Sequence, residues 1–331
     1  MTTILELPYH RLYRAQPTYR WWRPLVAIVM TVVFFFAVSF AIAIPVMIVL
    51  FANGTIDMND PGSLSQESLL ALLAPDMARP WTLLFGLGSI ILVLPLVPFA
   101  LRIAGIRPTG VRVNILHSVL MRLRWNWLLV TLVISALVWF GITGFQVALG
   151  FALGEGLYPF TNTAGTYVVS LLIVILLVPV QAATEEYLYR GVLLQSVGAW
   201  VRWAPVTILV SAVVFAFSHS YDPWGLVQVG IMGVVFAWMT IRTGGLEAGI
   251  AFHTVNNIGS FALMGTGMFS PDGETGMTTE TGGPIAVVWL IVTVAIWVAA
   301  IEVAARRRGI ERLSRIGVPT PPPGMLPPYG S

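Results

Sequence analysis

Residues 167–183 read YVVSLLIVILLVPVQAA, and the chain continues TEEYLYRG over 184–191. The first run carries no charge and, with the residues after it, is long enough to cross a bilayer as a helix. Two adjacent carboxylates, Glu185 and Glu186, therefore fall on the continuation of a membrane helix. An ionised group at such a place is costly and is read as a functional site.

The rest of the 331 residues agrees with a membrane setting. They are 57% hydrophobic and 10% charged, against about 25% charged residues in a soluble globular domain. The mean hydropathy is +0.83. There is no cysteine, which excludes disulfides, thiolate catalysis and thiolate metal sites. The pI near 9.4 does not imply nucleic acid as a partner, because every basic residue is an arginine and most flank apolar runs. That placement is the positive-inside pattern, and the partner it implies is the lipid bilayer.

Eight apolar segments follow in order: 24–52, 81–101, 127–149, 167–197, 205–218, 225–241, 246–264 and 284–305. The expected fold is an all-α polytopic membrane helix bundle of about eight transmembrane helices. Arg11, Arg14, Arg20 and Arg23 precede the first span, and Arg102, Arg107, Arg112, Arg122 and Arg124 follow the second. Asp57, Asp60, Glu67 and Asp76, then Glu155, then Asp272, Glu274 and Glu280 occupy the alternate connections. Both termini are thus expected in the cytoplasm, and the protein in the cell (plasma) membrane. The units are a basic leader (1–24), three N-terminal spans (25–164), a block of four helices (165–265), an external loop with the last span (266–305) and a basic, Pro-rich tail (306–331). The end of the tail is expected to be disordered.

Three places put strongly polar groups in apolar helices. Glu186 and Arg190 are spaced i,i+4 and can pair, whereas Glu185 lies about 100° around the helix. His219 closes the segment that starts at Pro205. Residue 202 is the midpoint between 185 and 219, so an antiparallel hairpin turning there brings Glu185 and His219 to similar depth. His253 and Asn257 share one face of the seventh segment and can both donate hydrogen bonds to an oxyanion. The bland alternatives are a solvated ion pair, a satisfied histidine and an interhelical hydrogen-bond cluster. His10 and His117 read as surface positions.

The order Glu-Glu-x-x-x-Arg, Phe-x-x-x-His, His-x-x-x-Asn resembles the CPBP family of intramembrane glutamic endopeptidases. That family includes type II CAAX prenyl endopeptidases and the Abi group of bacteriocin-processing and self-immunity proteins. Glu185, Glu186 and Arg190 match the first motif, Phe215 and His219 the second, His253 and Asn257 the third. The resemblance covers about 165–262 and makes 165–265 the catalytic block. It implies hydrolysis of a peptide bond in a membrane-associated protein or peptide, lipidated or not. Glu185 with His219 would activate water, His253 and Asn257 would hold the oxyanion, and Glu186 with Arg190 would fix the helix. No cofactor is expected. The alternative is a zinc-dependent peptidase with Glu185, His219 and His253 as ligands. A non-catalytic immunity or partner-binding protein of the same fold is the rival class.

Overall fold

The computed structural model describes residues 2–16, 18–57, 59–60, 62–106, 114–276 and 282–319. Arg107, Arg112, Glu280 and the Pro-rich end beyond 319 lie outside them. The helices are α1 (Arg23–Ala52), α2 (Gln66–Leu73), α3 (Pro80–Ile91), α4 (Val97–Ile103), α5 (Trp125–Ala152), α6 (Ala164–Glu186), α7 (Leu194–Trp200), α8 (Ala204–Phe217), α9 (Pro223–Thr243), α10 (Glu247–Met264) and α11 (Gly283–Arg307). A π-helical turn, Tyr187–Leu193, joins α6 to α7 without a break.

All eight expected segments are helical, but among the described residues six helical stretches are long and apolar enough to cross a membrane, with α3 through α4 and α6 through α7 each counted as one. The α8 helix has only 14 residues, about 21 Å at 1.5 Å per residue. The α10 helix carries Glu247, His253, Asn256 and Asn257 along its length. The second segment is not one helix. Pro95 and Pro98 remove backbone donors, and the chain passes through a 3-10 turn at Leu94–Leu96 between α3 and α4.

Local chemistry sets the ends. Proline stands in the first turn of α1, α3, α8 and α9, where its missing N–H leaves no partner unsatisfied. The Thr163 and Asp222 side chains cap α6 and α9 by accepting from Thr166 N–H and Gly225 N–H. Gly244, with φ of 70°, turns the chain out of α9 and into α10. Large apolar side chains such as Phe40, Leu137, Leu176 and Phe217 point outward, as the lipid-facing surface of a bundle requires. The protein is an integral membrane protein.

The termini depart from the expected leader and tail. A strand β1 (Thr2–Pro8) pairs antiparallel with β2 (Leu313–Pro319), from Thr2 against Pro319 to Pro8 against Leu313. A 3-10 helix, Tyr9–Ala15, then buries Tyr9, Leu12 and Tyr13 against the α7 region. Its approach depends on Gly198, since a Cβ there would lie 2.0 Å from the His10 carbonyl oxygen. His10 is consequently 3% exposed, not a surface residue, and burial pushes its pKa down to about 4, partly offset by the Arg202 backbone. His117 is also half-buried, with its Nδ1 bonded to the Tyr187 hydroxyl. Both histidines are enclosed because the arginine-rich connections fold back onto the bundle.

Candidate active site

The long helix made by α6, the π turn and α7 positions the first group of residues. Glu185, one residue before the end of α6, is 8% exposed, while Glu186 and Arg190 are fully buried. The π turn begins at the residue after Glu186, and such widened turns recur at functional sites. Arg190 Nη1 donates to Glu186 Oε1 at 3.1 Å. The guanidinium also lies 4.2 Å from the Phe215 ring centroid and 5.3 Å from that of Phe236. Phe215 and Phe236 thus clamp the cation that neutralises Glu186.

His253, on α10, faces both glutamates. Its Nδ1 is 3.1 Å from Glu186 Oε1, and its Nε2 is 3.4 Å from Glu185 Oε2. An N–H at Nδ1 directed to Glu186 leaves Nε2 as the ring atom that faces Glu185. The 3.4 Å contact is an ion-pair distance, not a formed hydrogen bond, and Glu185 Oε2 is buried without a hydrogen-bond partner. Glu185 Oε1 is satisfied by Gln181, whose Nε2 donates at 2.6 Å. Gln181 Oε1 in turn accepts from Asn257 Nδ2 at 3.4 Å. Asn257 also accepts from Asn256, whose own Oδ1 accepts from the Trp139 indole N–H.

His219 lies just past the end of α8. Its Nδ1 is 2.8 Å from the Phe215 carbonyl oxygen, and its ring stacks on Tyr221. A cavity of about 470 Å³ is lined by Gln181, Glu185, His219, Tyr221, His253 and Asn257, among others. Of the residues singled out in the sequence, Glu185, Phe215, His219, His253 and Asn257 therefore share this cavity. Glu186 and Arg190 stand behind it. Among the described residues no group of three or more His, Asp or Glu side chains is arranged to hold a metal ion.

Sequence reasoning missed Gln181 and the buried pair formed by Arg124 and Glu247. Gln181 lies one turn before Glu185, so its spacing was a usable signal. Arg124 Nη2 meets Glu247 Oε2 at 2.7 Å, and its Nη1 donates to the Thr243 and Glu311 carbonyls. That pair anchors the start of α10, six residues before His253, to the start of α5. Nothing in an arginine-rich loop distinguishes Arg124 from its exposed neighbours.

This geometry sits inside the region that has relatives. Residues 164–259 match the family described as type II CAAX prenyl endopeptidase Rce1-like. Over this segment the chain is similar to that family. This similarity falls on the same residues as the resemblance drawn from the three motifs. An uncharacterized protein, YyaK of Bacillus subtilis (strain 168), is 28% identical over 102 residues, covering 29% of this chain and 34% of YyaK. The chain thus spans about a third of the length of that relative. No solved structure matches the chain significantly.

Proposed function

We propose that the protein is a membrane-embedded endopeptidase in which Glu185 activates a water molecule for attack on a peptide carbonyl. The observation that carries this reading is the Glu185 carboxylate itself. One oxygen is held by Gln181, and the other is buried, without a hydrogen-bond partner, 3.4 Å from His253 Nε2 and adjacent to a cavity shared with His219, His253 and Asn257. A carboxylate held in this way is oriented to accept a proton from water at Oε2.

In the proposed step, Glu185 takes one proton from water while the hydroxide oxygen bonds to the carbonyl carbon. The oxyanion that forms accepts hydrogen bonds from Asn257 and His253 Nε2. Glu186, paired with Arg190, accepts from His253 Nδ1 and fixes the orientation of the ring, as a buried carboxylate does for histidine in other hydrolases. Collapse of the intermediate breaks the C–N bond, and the proton on Glu185 passes to the leaving amine, with His219 at the cavity mouth as the relay. The products are a carboxylic acid and an amine.

The test is cleavage of a quenched-fluorescent peptide library by purified wild type and Glu185→Ala, with and without a chelator. We expect cleavage by wild type alone, unaffected by the chelator. Equal cleavage by Glu185→Ala would refute the assignment. Loss with the chelator would move the zinc-dependent reading ahead of it.

A further inference from the structure

The lining of the cavity is drawn from one side of the bundle. None of its lining residues comes from the π turn, from α7, from Tyr9–Ala15 or from residues 114–124. Those segments fill the space between the glutamates and the arginine-rich face. Arg190, Gln195 and Ser196 are fully buried there, and Tyr9, Leu12, Leu116 and Leu194 pack into one cluster around them. On the opposite side the walls continue upward. Leu73, Ala74 and Pro75 roof the cavity, and Ser218 and Ser220, both exposed, stand at its edge where α8 turns into α9.

The roof is fastened. Arg79 donates to the Leu72 and Ala71 carbonyls at the end of α2 and pairs with Asp76 at 2.8 Å. Asp76 also accepts from the Thr275 hydroxyl at 2.6 Å, which ties the roof to the connection after α10. The connections on this side of the bundle are acidic, although none of their carboxylates lines the cavity. The described parts of these four connections carry Asp57, Asp60, Asp76, Glu155, Asp222, Asp272 and Glu274, and their one arginine is Arg79. The opposite face carries Arg11, Arg14, Arg20, Arg102, Arg122, Arg202 and Arg306 to Arg308. Charge asymmetry of this kind puts the arginine-rich face in the cytoplasm and the mouth on the other side.

We propose that the polypeptide substrate reaches Glu185 from the acidic, non-cytoplasmic face, between the Leu73–Pro75 roof and the Ser218–Tyr221 turn. The same surface selects a substrate in which an apolar segment is flanked by basic residues. The apolar part fits walls made by Leu87, Ile90, Val229, Met232 and Phe261. The basic flank is drawn by the field of the acidic connections, which concentrates cations over the mouth. This inference rests on the peptidase reading for the word substrate, but the route itself is a property of the cavity.

The chain has no cysteine, so an introduced thiol is its only one. Ser260→Cys places a thiol on the cavity wall, Ser220→Cys one at the mouth, and Arg308→Cys marks the arginine-rich face. Sealed vesicles of known orientation are treated from one side with membrane-impermeant methanethiosulfonates, one cationic (trimethylammonium) and one anionic (sulfonate). Ser260→Cys and Ser220→Cys are expected to react only from the face opposite Arg308→Cys. After normalising to a free thiol, the cationic reagent is expected to react several-fold faster. Reaction of Ser260→Cys from the arginine-rich face would overturn the route, and equal rates for the two reagents would overturn the preference for a basic substrate. The labelling needs no turnover, so failure of wild type to cleave any peptide would count against the peptidase reading alone.

Discussion

Arg190→Met removes the cation that neutralises Glu186 while keeping a long, flexible apolar side chain between Phe215 and Phe236. Arg190 and Glu186 are both fully buried and meet at 3.1 Å. Deleting one partner of such a pair strands a charge in a low-dielectric site, which costs about 3–5 kcal/mol. Loss of the stacked guanidinium adds about 0.5–2 kcal/mol. Glu186→Gln in the same protein removes the stranded charge, so the double variant should recover at least about 2 kcal/mol relative to the sum of the single changes. The assay is a double-mutant cycle of equilibrium unfolding in mixed micelles titrated with SDS, read by tryptophan fluorescence. Additive effects of the two substitutions would refute the reasoning, because they would mean that Glu186 finds its compensation elsewhere.

Three further outcomes follow from the same geometry. Gln181→Leu leaves Glu185 Oε1 without its 2.6 Å donor and should lower kcat/KM about 10–100-fold with little change in fold, a loss that unchanged kinetics would contradict. Gly198→Ala drives a Cβ to 2.0 Å from the His10 carbonyl and should release the 3-10 helix, read as faster trypsin cleavage at Arg11 and Arg14. His10 gives a pH dependence with a definite sign. Its folded pKa of about 4 lies below the ordinary 6.5, so the unfolded terminus binds a proton that the folded one refuses between those values. Stability of the terminal cap is full above about pH 6.5, falls as pH drops toward 4, and has then lost about 3 kcal/mol. Hydrogen exchange of Tyr9–Ala15, compared with the same region in His10→Leu, measures this. A pH response that persists in His10→Leu would exclude His10 as its source.

The helices were legible because charge-free runs alternate with arginine-rich or acidic connections, a pattern written residue by residue. Pro95 and Pro98 were equally visible, yet a hydropathy window averages over them, and the break between α3 and α4 was missed. The terminal sheet joins Thr2 to Pro319, and no local period records a pairing over that separation. The three polar places were visible as exceptions to apolar helices. Their contacts were not, because His253 meets Glu185 and Glu186 only through the register of α10 against α6. The pairing of Arg124 with Glu247 spans 123 positions and was hidden for the same reason.

The central claim is that Glu185 supplies the base for hydrolysis. Its most direct measurement is kcat of wild type and Glu185→Gln, both reconstituted in vesicles, on one cleaved peptide. Glutamine keeps the shape and the bond to Gln181 within reach but cannot accept the proton from water. The account predicts a fall of about 10²–10⁴-fold with unfolding stability close to wild type. A Glu185→Gln enzyme within a few-fold of wild type would contradict it.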